Sequence, residues 1–323
     1  MQNAVFQALA DAARNNEPVA LGIITGVKGS SPQKVGAKAL FRADGTIVGT
    51  LGGGCLEAEI QYRAMESLRT GEPEKFDLLL DHDFGWDDGL ICGGKVFGVI
   101  LPNAQQIGAE FWETLAGRKS TMTWTVAEDF ALRLGNAEAS PVLYSETVNP
   151  PCALWIAGAG HISQAVAPLA VQLDFDVTVF DDRPALASCE FFPPDVKLRV
   201  GVWEELGSID LPPVPSFGLI VTRGHRHDAL VLKDWIRRPF VFLGMIGSAR
   251  KARTIFDHFR EEGIATPEQL QKVACPVGIR IGSRTVPEIA VSIMAQFIQK
   301  RAELVNRTEN SFADRRATQG SRV

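Results

Sequence analysis

The sequence predicts an α/β fold, with a doubly wound parallel sheet in the C-terminal half behind a smaller N-terminal α+β domain. Three observations carry that expectation. From Ala153 to Arg183 an apolar run enters a Gly158-Ala159-Gly160 turn, a helical pattern follows, and a second apolar run, Val177 to Phe180, ends in Asp181 and Asp182. Strand, glycine turn, helix, strand and acidic end is the layout of a dinucleotide-binding βαβ unit. Phe217 to Thr222 and Phe240 to Ile246 are nearly unbroken apolar runs, as strands of a parallel sheet covered on both faces require. Asn149-Pro150-Pro151, just before the βαβ unit, reads as a linker.

The N-terminal half opens with a helix over residues 1–14, with Val5 and Leu9 inward, and a buried strand from Val19 to Val27. Ala37 to Phe41 and Thr46 to Leu51 flank Asp44-Gly45, a hairpin signal. The hairpin runs into Gly52-Gly53-Gly54-Cys55, and Leu56, Ile60, Ala64 and Leu68 then recur at helical spacing as far as Gly71. Phe76 to Leu80 and Val96 to Leu101 read as strands, Asn103 to Gly117 as one helix, and Thr121 to Leu134 as further strands. The acidic stretch Asp81 to Asp88 is no EF-hand, because Gly85 and Cys92 stand where that loop needs ligands.

Beyond the βαβ unit, Lys197 to Val202 is a strand and Thr266-Pro267-Glu268-Gln269 and Thr285-Val286-Pro287-Glu288 are capping boxes. Ile289, Ile293, Met294, Phe297 and Ile298 mark one face of a last helix. The expected domains are 1–149, 150–300 and a polar, disordered tail over 301–323.

Of the 323 residues, 46% are hydrophobic and 22% charged, enough apolar material for two cores. A net charge of −5 gives no reason to expect a nucleic-acid partner. The early apolar run is too short to span a bilayer and no signal sequence is evident, so a cytoplasmic protein without a membrane partner is expected. Five cysteines without a C-x-x-C spacing argue for reduced thiols.

Candidate chemistry gathers at strand ends, where open α/β sheets receive ligands. Gly158, Ala159, Gly160 and His161 offer backbone N–H groups to a phosphate and an imidazole that can donate, accept or ligate a metal. Asp181 stands where the fingerprint places a ribose-binding acid, with Asp182 and Arg183 beside it; Asp181 favours NAD, and Arg183 leaves NADP open. Arg223, Gly224 and His225, then Gly247, Ser248, Arg250 and Lys251, follow the next two strands. Ser163 replaces the third glycine of the fingerprint.

In the first half, Cys55 ends a glycine run that forms an anion nest with Gly53 and Gly54, and Cys92 precedes another glycine pair. Two such cysteines suit nucleophilic chemistry, with Glu57, Glu59 or a histidine as base, or ligation of a soft metal ion.

In order along the chain, GSSPQKVGAKALF (29–41), DGTIVGTLGGGCLEAEI (44–60), ICGGKVFGVI (91–100), LWIAGAGHISQAVAPLA, VFDDRPALA, TRGHRHD, GMIGSARK and VPEIAVSIMAQFI resemble the XdhC/CoxI family of xanthine dehydrogenase accessory proteins. The resemblance implies a chaperone that binds the molybdenum cofactor, molybdopterin, and assists its sulfuration with a cysteine desulfurase. It then delivers the cofactor to an apo xanthine-dehydrogenase-type molybdoenzyme. It places Cys55 and Cys92 on the family's glycine-flanked cysteines, and His161 and His225 on its GAGH and TRGH histidines. Gln33-Lys34, where the family often carries arginine, and the acidic loop with His82 depart from the pattern. An NAD(P)-binding, metal-dependent oxidoreductase using a Cys/His site is the alternative, and a homodimer is expected in either case.

Overall fold

A computed structural model describes residues 2–31, 33–80, 94–135, 141–208 and 210–319. The chain divides into two compact units, Met1–Pro150 and Pro151–Val323. Among the described residues no helix is long and apolar enough to cross a membrane.

The first unit is built on strands β1 (Val19–Lys28), β2 (Lys38–Arg42), β3 (Ile47–Gly49), β4 (Glu74–Leu80) and β5 (Gly94–Pro102), in the antiparallel order β3-β2-β1-β5-β4. Alternation along these strands supplies two apolar faces. Helix α1 (Gln2–Arg14) and helix α3 (Ala109–Gly117) cover one, where Phe6, Leu9, Trp112 and Trp124 pack on Leu21, Ile23 and Leu40. Helix α2 (Gly54–Thr70) covers the other with Leu56, Ile60 and Ala64 against Ile24, Phe41 and Ile100. The helix expected over Asn103 to Gly117 is broken: Gly108, at φ 105°, separates a short 3-10 turn, Ala104–Ile107, from α3. Strands β6 (Met122–Ala127), β7 (Leu132–Leu134) and β8 (Val142–Val148) form a small antiparallel sheet.

Lys38 is buried inside this unit. Its ammonium donates to the Gly36 carbonyl at 2.7 Å and to Glu146 at 2.9 Å, among the rings of Phe6, Trp124 and Tyr144. Glu146 also accepts the Trp124 indole N–H at 2.8 Å.

The second unit carries β9 (Cys152–Ala157), β10 (Phe175–Asp181), β11 (Lys197–Val200), β12 (Ser216–Ile220), β13 (Phe242–Met245) and β14 (Val273–Ala274). All pairings are parallel and the spatial order is β11-β10-β9-β12-β13-β14. Counted from β9, that is the 3-2-1-4-5-6 order of the Rossmann fold. Helix α4 (His161–Gln172) and helix α8 (Val286–Gln319) pack on one face through Val166, Ala170, Ile293 and Phe297. Helices α5 (His225–Trp235), α6 (Ala249–Glu261) and α7 (Pro267–Gln271) pack on the other through Val231, Trp235, Ile255, Phe259 and Leu270. The sheet is therefore wound on both sides, with its reversal between β9 and β12.

The stretch after Lys300, expected to leave the fold as a disordered tail, continues α8 to Gln319. Arg301 donates to the Leu173 carbonyl at 2.6 Å and covers the Phe175 ring, and Leu304 packs against the core. The segment holds no proline and no glycine before Gly320, so nothing in its backbone stops the helix.

Candidate functional site

The turn after β9 is fixed from several sides. Gly158 takes φ 114°, and a Cβ there would stand 2.4 Å from the Val221 carbonyl oxygen, so only glycine fits. Its N–H donates to the Phe180 carbonyl at 2.8 Å. Ser163, in the place of the third glycine, is buried and donates its hydroxyl to the Gly158 carbonyl. Gln164 holds the Ala159 carbonyl at 3.1 Å. Gly160 caps α4 in an extended conformation, with no side-chain hydrogen bond to the helix start. A Cβ on Gly160 would meet nothing within 4 Å, so this helix end opens onto free space beside the exposed His161.

The acidic end of β10 splits into two roles. Asp181 is fully buried and accepts the Ala159 N–H at 2.7 Å. It also accepts the Arg183 N–H at 2.9 Å and a two-point contact from the Arg183 guanidinium at 2.8 and 2.9 Å. Burial pushes the Asp181 carboxyl up, but the Arg183 guanidinium and the Ala159 and Arg183 N–H groups outweigh it and hold it below the usual carboxylate value. Asp181 thus faces the protein's own backbone and Arg183 rather than an open ribose position. Asp182 receives Arg223 in a two-point pair at 3.1 and 2.7 Å. Because β9 lies between β10 and β12, this pair crosses the carboxyl end of β9. His227 stands 3.4 Å from the Arg223 guanidinium and packs against Trp203.

After β12, Thr222 donates its N–H and its hydroxyl to Asp228, at 3.2 and 2.7 Å. Asp228 is fully buried in the first turn of α5 and pairs with the Lys251 ammonium, which also reaches the Ile246 carbonyl. Gly224 precedes α5 in an extended conformation and His225 is exposed at its start. Gly247, at φ 156°, leads to Ser248, whose hydroxyl caps α6 by accepting the Lys251 N–H, while Arg250 is exposed. The Cys275 sulfur lies 3.5 Å from the point a Cβ on Gly247 would occupy. Burial raises the Cys275 thiol, against the opposing effect of Lys251. Asp228 closes the cluster that the sequence marks from Arg223 onward but is given no role there, Thr222 is not a candidate, and Cys275 reads as structural. For Asp228 the signal was an acid four residues past Gly224, in a helix's first turn; for Cys275 the sequence held none.

In the first unit, Gly52, Gly53 and Gly54 all take positive φ, at 120°, 72° and 59°, and lead directly into α2. Cys55 is a half-buried free thiol in its first turn, and a Cβ on Gly53 would meet nothing within 4 Å. Glu57 accepts the Thr50 hydroxyl and the Leu51 N–H, both at 2.8 Å, and Glu59 pairs with Arg63. Of the two carboxylates expected as a base for Cys55, Glu57 is thus engaged in holding the connection and Glu59 in an ion pair along α2. Cys92 and the acidic loop with His82 lie outside the described residues. Among the described residues, no group of three His, Cys, Asp or Glu side chains is arranged to hold a metal ion.

Comparison with known proteins separates the two halves in the same way. Residues 12–82 match the model of the XdhC and CoxI family, and residues 154–297 match that of the XdhC Rossmann domain. The chain belongs to the XdhC/CoxI family. Among its relatives is an uncharacterized Escherichia coli protein, YqeB, 28% identical over 91% of this chain, which spans 46% of YqeB's length. A protein of Bacillus subtilis named as a probable xanthine dehydrogenase component is 26% identical, over 92% of this chain and 97% of its own. The molybdenum cofactor insertion chaperone PaoD of Escherichia coli is 24% identical, over 92% of this chain and 88% of its own. A crystal structure described as a xanthine dehydrogenase from Bacillus halodurans shares the fold at a TM-score of 0.79, with 24% identity over 93% of this chain and 96% of that one.

Proposed function

We propose that this family member is an accessory protein of a xanthine-dehydrogenase-type molybdoenzyme, which binds molybdopterin and passes it to the apo-enzyme. The names of its Bacillus subtilis relative and of PaoD support an accessory role. The observation that carries the ligand reading is the turn at Gly158 to Gly160: its shape is fixed by Ser163 and Asp181, and its helix end is uncapped and opens onto free space. Such a turn suits the phosphate of a pterin, and the exposed Arg250 supplies positive charge at a neighbouring strand end, Arg223 and Lys251 being paired with Asp182 and Asp228. Bound molybdopterin supplies a metal that takes soft ligands. In the first unit, Cys55 and Cys92 are proposed as thiol ligands for a soft metal and for the sulfuration step, with a cysteine desulfurase as sulfur donor. His161, exposed at the head of α4, is assigned to the same ligand.

A second reading, an NAD(P)-binding oxidoreductase, draws on the 3-2-1-4-5-6 strand order and on Asp182 at the end of β10. Arg183 is committed to Asp181, which favours NAD over NADP within that reading.

Mass spectrometry and metal analysis of protein purified from cells making molybdopterin test both readings. The carrier reading expects a pterin with molybdenum, and Cys55→Ala and Cys92→Ala variants that fold normally but lose the metal. Bound NAD with iron or zinc, and no pterin, would establish the oxidoreductase instead.

A further inference from the structure

We infer that Arg223 is the side chain that receives a ligand's phosphate at the glycine turn, and that Asp182 is its built-in competitor. The inference rests on the reading that a phosphate-bearing molecule binds at Gly158 to Gly160. It is the same whether that molecule is a pterin or a dinucleotide.

The strand register sets the two residues on opposite sides of the turn. Phe180 of β10 and Ile220 of β12 both lie level with Ala157, the last residue of β9. Asp182 comes two residues after Phe180 and Arg223 three after Ile220, so they flank Ala159 and Gly160. Strands on either side of a third are about 10 Å apart. The Asp182 carboxylate and the Arg223 guanidinium nevertheless meet, at 3.1 and 2.7 Å. The pair spans the turn instead of running along one strand.

It is also the pair built to open. Arg183 and Lys251, the other paired cations described at these strand ends, hold the fully buried carboxylates of Asp181 and Asp228. The Asp182 and Arg223 side chains are 21% and 41% exposed. A pair so open to water is weak, whereas a phosphate offers the guanidinium the same two-point geometry with more negative charge. Neither partner is stranded by the exchange. Arg183 Nε stands 3.8 Å from Asp182, and His227 Nε2 stands 3.4 Å from Arg223. His227 packs against Trp203, whose buried indole N–H has no hydrogen-bond partner among the described residues and adds a donor beside the cluster. The competition makes the site selective, because a ligand without a phosphate leaves Asp182 on Arg223.

Calorimetric titration of the full chain with inorganic pyrophosphate, at fixed ionic strength, tests the exchange. Asp182→Asn should tighten binding about tenfold by freeing the guanidinium, and Arg223→Gln should weaken it by about the same factor. The double variant should match Arg223→Gln to within about threefold, because Asp182 then has nothing to compete for. Gly160→Asp caps α4 with its own carboxylate and should abolish binding, also when added to Asp182→Asn. Circular dichroism checks that each variant keeps the fold. Unchanged or weaker binding in Asp182→Asn would overturn the inference. So would an equal gain in the Arg223→Gln background, which reports only a lost negative charge, or binding that survives Gly160→Asp. A chain that carries no pterin from cells yet shows the expected pattern keeps the exchange and loses the carrier reading.

Discussion

The Asp181 carboxylate accepts the Ala159 N–H at 2.7 Å, tying the end of β10 to the middle of the glycine turn after β9. The acid that a dinucleotide fingerprint reserves for a ribose here supports the turn from behind, and Arg183 neutralises it. Asp182, one residue further, pairs instead with Arg223 after β12, at 2.7 Å.

Removing Asp181 should therefore act on folding before it acts on any ligand. Asp181→Ala leaves the Ala159 N–H buried without an acceptor and Arg183 without its partner. The expected loss is about 3 kcal/mol, read from urea unfolding. Asp182→Asn touches only a partly exposed pair and should cost less than about 1 kcal/mol. It is the cleaner probe of a ribose contact, by calorimetry with NAD.

The same carboxylate makes stability depend on acid. Its folded value lies below the ordinary one, so its contribution is present above the unfolded carboxylate value and disappears as pH falls through the folded one. Urea midpoints of wild type and Asp181→Ala, measured from pH 7 down to pH 2, should converge only below about pH 4. A gap that stays constant to pH 2 would assign the loss to packing.

Two glycines of the turn should respond in opposite ways. Gly158→Ala needs a left-handed conformation and drives Cβ against the Val221 carbonyl, so a loss of at least about 2 kcal/mol is expected in thermal melts. Gly160→Ala has an extended φ of −78° and open space, and should melt within about 0.5 kcal/mol of wild type. Any pterin lost by Gly160→Ala then reports on the ligand contact itself.

In the first unit, Lys38→Met strands Glu146 in a half-aromatic interior. A loss of about 3–5 kcal/mol is expected, with part recovered when Glu146→Gln is added. Tyr144 lies in the same pocket, and burial, with the Glu146 charge, pushes its hydroxyl well above the usual tyrosine value, so it stays a neutral partner at any working pH.

The strands and the glycine turn were legible because their causes are local. Unbroken apolar runs announce strands covered on both faces, and Gly158 is demanded by one backbone angle. Asp181 was found but its direction was not, since a strand's last side chain points inward or outward according to the neighbouring turn. Asp228 was marked within its strand-end cluster but its role was not, because its partner, Lys251, comes from another strand–helix unit, and such pairing is set by sheet order rather than by spacing. Polar composition after Lys300 suggested disorder, whereas Ala302 and Leu304 lie in a helix that still contacts its own domain through Leu304.

Ser163 has one further consequence. By fastening the Gly158 carbonyl from within α4, it braces the loop with the protein's own hydrogen bond. A receptor of that kind does not have to freeze on capture or melt on surrender, so neither event carries an ordering penalty at that loop. Under the carrier role proposed above, a stiff cradle keeps the hand-over a matter of which surface grips harder.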